Sequence, residues 1–132
     1  MGLVKRQPAS RGKKKEPARE NRIEMEIVVD CYNGSEQAMG WYCYLEDNLK
    51  FPFPATCVKK RDISPLKLKE KVEVAGMAPE AECEREMFVS IRWNDRRFSV
   101  PLDQLACDSP DKKTKQAVED WHYWVRQGCQ FG

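Results

Sequence analysis

Residues 38 to 57, AMGWYCYLEDNLKFPFPATC, constrain the fold more than any other stretch of the chain. Ala38, Trp41, Tyr42, Leu45 and Leu49 follow the i, i+3, i+4, i+7 spacing of an amphipathic helix. Asn33, Gly34 and Ser35 supply N-cap chemistry ahead of Glu36, whose charge suits a first helical turn. Pro52 stops the helix, because proline has no N–H to donate and drives Phe51 towards extended backbone. An aromatic helix must therefore turn through a stiff Phe-Pro-Phe-Pro corner into a strand, for which Ala55 to Lys59 is the first candidate.

Beyond the corner the signals are those of short strands. Lys71 to Ala75, Met87 to Trp93 and Arg97 to Pro101 follow, with Asn94 and Asp95 suited to a tight hairpin turn. Pro101 to Leu105 resembles the short helical turn that closes small SH3-like barrels, and closely spaced short strands fit such a barrel. From Lys113 to Gln127 the pattern is helical again. Val118, Trp121, Tyr123, Trp124 and Val125 give its apolar face, Asp111 and Thr114 lie near its start, and Gly128 caps its end. Upstream, Ile23, Met25, Ile27 and Val29 alternate as in a strand with one buried face, although Glu24, Met25 and Glu26 also suit a helical turn. The expected fold class is α+β: a small SH3-like β-barrel packed with an aromatic N-terminal helix and a C-terminal helix.

Charge divides the chain. Residues 1 to 22 hold eight Lys or Arg against two Glu, whereas the remainder holds 15 basic and 19 acidic residues. The leader has almost nothing apolar to offset the entropy of ordering. It is therefore expected to be disordered, with residues 23–132 forming a single domain. A cationic arm also attracts polyanions, so the alternative function is an SH3-like protein- or nucleic-acid-binding module that uses the leader as an arm. No apolar run is long enough for a transmembrane helix, and the leader lacks the apolar core of a secretory signal. These features point to the cytoplasm and no membrane partner. Cys31, Cys43, Cys57, Cys83, Cys107 and Cys129 are then expected to stay reduced, and with no Cys-x-x-Cys pair they argue against zinc.

The acidic groups carry the chemical signal. Glu80, Glu82, Glu84 and Glu86 alternate, and in an extended segment period two would set all four on one face. Such a row repels itself unless a cation sits within it. Calcium takes roughly six to eight oxygen ligands and accepts carboxylates on flexible loops. Glu46 with Asp47, Glu119 with Asp120, and Asp103 with Asp108 are further acidic pairs. The candidate ligands are Glu46, Asp47, Glu80, Glu82, Glu84 and Asp120. An EF-hand is excluded: counting from Asp30 puts Tyr32 and Gly34 at ligand positions and Trp41 where the closing Glu belongs. No catalytic step is expected. His122 is the single histidine, set between Trp121 and Tyr123, and no nucleophile elbow, phosphate-cradling loop or His-Glu-x-x-His pair exists. The aromatics, Trp41, Tyr42, Tyr44, Phe51, Phe53, Trp121, Tyr123 and Trp124, have the helical spacing of core packing in preference to base stacking.

GWYCYLEDNLKFPFPATC, then ISPLK, VEVAGMAPEAECEREMFVSIRW, VPLDQL and EDWHYWV, resemble the CcbP-type calcium-binding proteins known from cyanobacteria, from about Ile23 to Phe131. The resemblance implies a small cytoplasmic protein that binds calcium without EF-hands, through carboxylates around a compact α/β body, and buffers or senses it in signalling. It implies ligands among Leu45-Glu46-Asp47, Ala78 to Glu86 and Glu119-Asp120. The basic leader and only mildly acidic body depart from that acidic pattern.

Overall fold

The computed structural model describes residues 15–131. Of the leader, residues 1 to 22, on which the cationic-arm expectation rests, Met1 to Lys14 lie outside them, and Pro17–Arg22 is helical in place of the expected disorder. Helix α1, Pro17–Arg22, has proline in its first turn, where a missing N–H costs nothing. It continues into a π-turn, Ile23–Ile27, in which the Val28 N–H donates to the Ile23 carbonyl at 2.9 Å. The expected break at residue 22 thus falls within one continuous helical segment.

The strand expected over Ile23 to Val29 is helical for a physical reason. A period-two row also contains i, i+4 pairs, and Ile23 and Ile27 are buried while Met25 and Val29 are exposed. Packing selects the helix. A Cβ on Gly40 would run into the Ile27 carbonyl oxygen, so the π-turn and the next helix lie backbone against backbone.

That next helix is α2, Gly34–Asn48. Asn33 Oδ1 accepts the Glu36 N–H at 2.9 Å, and the Glu36 carboxylate in turn accepts the Tyr32 N–H, so each end of the cap satisfies an orphan donor. Its buried face is Ala38, Trp41 and Leu45. After the proline corner come β1 (Phe53–Cys57), β2 (Lys71–Met77), β3 (Phe88–Trp93), β4 (Arg96–Pro101) and β5 (Leu105–Cys107). Asn94 and Asp95 both have positive φ, as the tight β3–β4 turn requires. A 3-10 turn, Leu102–Gln104, leads into β5, and helix α3, Lys112–Arg126, ends the fold. Asp111 caps α3, accepting the Thr114 N–H at 2.9 Å and the Thr114 hydroxyl at 2.7 Å.

The sheet is antiparallel with order β4-β3-β2-β1-β5. It stays open, so the expected SH3-like barrel is not formed. β4 and β5 are both edges, β5 is three residues long, and α3 packs on β5 and the preceding 3-10 turn instead of a closing strand. The α+β class stands. Between α2 and α3 lies an aromatic core in which Trp41 meets Trp121 at 5.0 Å and Trp124 at 5.5 Å between ring centroids. Phe53, Val74, Val89 and Ile91 from alternate strand positions complete the core, and truncating a tryptophan in such a core costs about 3–5 kcal/mol.

Candidate metal centre

The first half of helix α2, through Tyr42, packs against the connection between β2 and β3, which carries Glu80, Glu82 and Glu84. The connection is not extended. Glu80–Cys83 form a 3-10 turn, in which residues three apart share a face and residues two apart do not. The alternating glutamates therefore point different ways, which corrects the single-face expectation. Glu82 accepts the Ser99 hydroxyl at 2.7 Å, towards β4. Glu86 is held by Arg61 through two bonds of 3.1 and 2.8 Å, so its charge is already balanced. Glu80 and Glu84 line a groove of about 460 Å³ against α2, beside Ala38, Met39, Tyr42 and Arg85.

Glu46 and Asp47 lie exposed on α2. Their relation to Glu80 shows at Cys43. Burial raises its thiol pKa first, followed by the charges of Asp47, Glu46 and Glu80. Tyr42 is raised the same way, by burial first and then by charges that include Glu46 and Glu80. Carboxylates from α2 and from the acidic turn thus act on one corner of the molecule. Its two sides are joined where the Tyr42 hydroxyl donates to the Ala78 carbonyl at 2.8 Å.

Asp120 lies elsewhere and does different work. Its side chain is fully buried. It accepts Arg19 Nη1 at 2.7 Å, Arg22 Nη2 at 2.7 Å, Arg22 Nε at 3.0 Å and the Tyr44 hydroxyl at 2.7 Å. The bond to Asp120 is the main reason the Arg22 pKa is raised, and burial followed by Asp120 pushes Tyr44 up to about 12. Tyr123 adds a second tie to α1, accepting the Glu16 N–H at 3.1 Å and donating to Glu20 at 2.6 Å. Asp120 therefore serves as an internal counter-ion to Arg19 and Arg22. Its neighbour Glu119 lies 3.8 Å from Arg19. Asp103 is likewise taken, by Arg61 at 2.8 Å and Lys59 at 3.1 Å, and Asp108 accepts the Thr56 hydroxyl.

The calcium-binding CcbP family model matches residues 21–125. The chain belongs to the CcbP family. The crystal structure of Anabaena CcbP is 38% identical, with a TM-score of 0.79, over 89% of this chain and 96% of that one. A second solved structure, a calcium-binding protein in its calcium-binding form, is also 38% identical, with a TM-score of 0.77 over 86% and 94% of the two chains. No curated protein matches the chain.

The donor set suits the family's ion. Glu46, Asp47, Glu80 and Glu84 offer hard carboxylate oxygens, the ligand type calcium takes. Cys43, the exposed thiol beside them, is a soft sulfur donor of the kind that hard calcium does not select. Among the described residues no three His, Cys, Asp or Glu side chains are gathered closely enough to hold an ion as they stand. Calcium coordination would draw the exposed carboxylates together, which its flexible geometry permits. His122 is not part of this corner: its Nε2–H donates to the Leu105 carbonyl at 2.7 Å, and burial lowers its pKa. None of the six cysteines forms a disulfide, and no helix among the described residues is long and apolar enough to cross a membrane.

Sequence reasoning missed Arg19, Arg22 and Arg61, which decide which carboxylates are already balanced, and Tyr42, which joins the two sides of the corner. Arginine positions carry no periodic signal. Tyr42 read only as one more core aromatic.

Proposed function

We propose that this protein binds calcium at the corner between α2 and the acidic turn, through Glu46, Asp47, Glu80 and Glu84, and works as a cytoplasmic calcium buffer or sensor with no catalytic step. Glu82 joins the site by exchanging its bond to Ser99 for the ion. The observation that carries the reading is the tie between the two elements: the Tyr42 hydroxyl, one helical turn before Glu46, donates to the Ala78 carbonyl at 2.8 Å, and Tyr42 lines one groove with Glu80 and Glu84. Membership of a calcium-binding family supplies the ion. Asp120 has no part in the site, since two guanidiniums and a phenol already fill its hydrogen-bonding capacity.

Calorimetric titration of chelator-treated protein at physiological salt, with magnesium as competitor, tests the proposal. Saturable heat that magnesium does not displace, weakened in Glu46→Gln and Glu80→Gln, is the expected result. Wild-type heat in both variants would move the site away from this corner, and no heat up to millimolar calcium would remove the calcium reading altogether.

A further inference from the structure

Resting on that reading, we propose that Tyr42 is a positioning residue of the calcium site, setting the separation between the carboxylates of α2 and those of the acidic turn. Tyr42 and Glu46 are four residues apart on α2, so the tether and a ligand share one helix face. The tether ends on Ala78, a fully buried residue whose own N–H donates to the Phe88 carbonyl at 3.1 Å. The chain therefore enters the acidic turn from a fixed point. It leaves from another, because Arg61 clamps Glu86 and the buried Asp103 together and the Leu102 N–H donates to the Met87 carbonyl at 2.9 Å. Between these points Glu80, Glu82 and Glu84 are exposed and bear no ion pair among the described residues. Their mutual repulsion, and their repulsion from Glu46 and Asp47, favours swinging the turn away from α2. The Tyr42 hydroxyl opposes that movement at the end of the turn nearest Glu80. Without it, calcium must gather the two groups of carboxylates at the moment of binding, and the entropy of that ordering is subtracted from affinity.

Tyr42→Phe keeps the ring and removes the bond. At 25 °C the calcium dissociation constant is expected to rise about two- to tenfold, the net worth of one hydrogen bond. The preference for calcium over magnesium is expected to fall with it, since a loosened site grips neither ion in a defined cage. A residue with only a structural role would lower Tm and leave both quantities unchanged where the protein is folded. In a Glu80→Gln background Tyr42→Phe is expected to cost less than in the parent, because the ligand nearest the tether has gone. Unchanged affinity in Tyr42→Phe beside weakened affinity in Glu80→Gln overturns the positioning role and spares the site. Full additivity of the two substitutions overturns it as well. Unchanged affinity in both Glu80→Gln and Glu46→Gln overturns the site, and the role of Tyr42 with it.

Discussion

Replacing Asp120 by asparagine removes one negative charge from a side chain with no solvent exposure and leaves the guanidiniums of Arg19 and Arg22 converging on a neutral amide. The amide keeps one acceptor oxygen, but its other terminal atom becomes a donor facing donors. Breaking a buried ion pair by removing one partner costs about 3–5 kcal/mol. Here the arginine side chains are 19% and 21% exposed, and Arg19 retains Glu16 at 2.8 Å, so the lower end applies: about 3 kcal/mol. At about 4 °C per kcal/mol for a chain of this size, Tm should fall by roughly 12 °C. The assay is a pair of thermal and urea melts in chelator, followed by calcium titration well below Tm, where affinity should equal that of the parent. Arg22→Met should cost much less in the Asp120→Asn background than in the parent, because its partner is already lost. A Tm within about 2 °C of the parent would refute the ionic lock. An intact Tm with weakened calcium binding would make Asp120 a ligand and refute its separation from the site.

Three further outcomes follow from particular contacts. Gly40→Ala places a Cβ against the Ile27 carbonyl oxygen, and the overpacking should destabilise the fold by about 1–3 kcal/mol, read as a urea midpoint. For His122, burial holds the folded pKa below its ordinary 6.5, so the unfolded chain takes up the proton first. Its contribution to stability is complete above that value and is lost as pH falls from 6.5 to the folded pKa. His122→Gln should flatten this part of the stability profile, and an unchanged slope would assign it to other groups. At Cys43, calcium seated among Asp47, Glu46 and Glu80 should cancel their share of the upward shift and lower the thiol pKa, while the larger share due to burial remains. The pH dependence of iodoacetamide labelling at Cys43, followed by mass spectrometry with and without calcium, reads this directly. An unmoved profile would place the ion elsewhere.

The fold is largely legible wherever a local rule and the tertiary packing agree. The apolar face of α2, its Asn33 cap, the proline corner, the Asn94-Asp95 turn and the Asp111 cap of α3 lie where spacing and cap chemistry put them. Each is fixed by residues within a few positions of one another. Ile23 to Ile27 is not legible, since alternation and i, i+4 spacing both include that pair. Only Gly40, and the lock of Arg22 on Asp120, decide between them. The barrel fails for a similar reason. Short strands and a helical turn before β5 are compatible with closure, but closure depends on whether the last strand outruns the helix behind it. Three residues of β5 do not.

The acidic residues show what a sequence reading lacks even when it selects the right chemistry. A carboxylate's fate depends on whether a cation of the same chain reaches it, and that cation lies far away in sequence: Arg22 for Asp120, Arg61 for Glu86, Lys59 for Asp103. Of these, Asp120 and Asp103 are buried and Glu86 is half-buried. Glu46, Asp47, Glu80 and Glu84 meet no such partner among the described residues and stay at the surface. Their charge is left over when the internal pairs have closed. Two of these carboxylates sit on α2 and two on the turn that Tyr42 ties to it. In the site we propose, a divalent cation is the partner of these carboxylates, and calcium, which tolerates irregular oxygen cages, is the ion such a turn would suit.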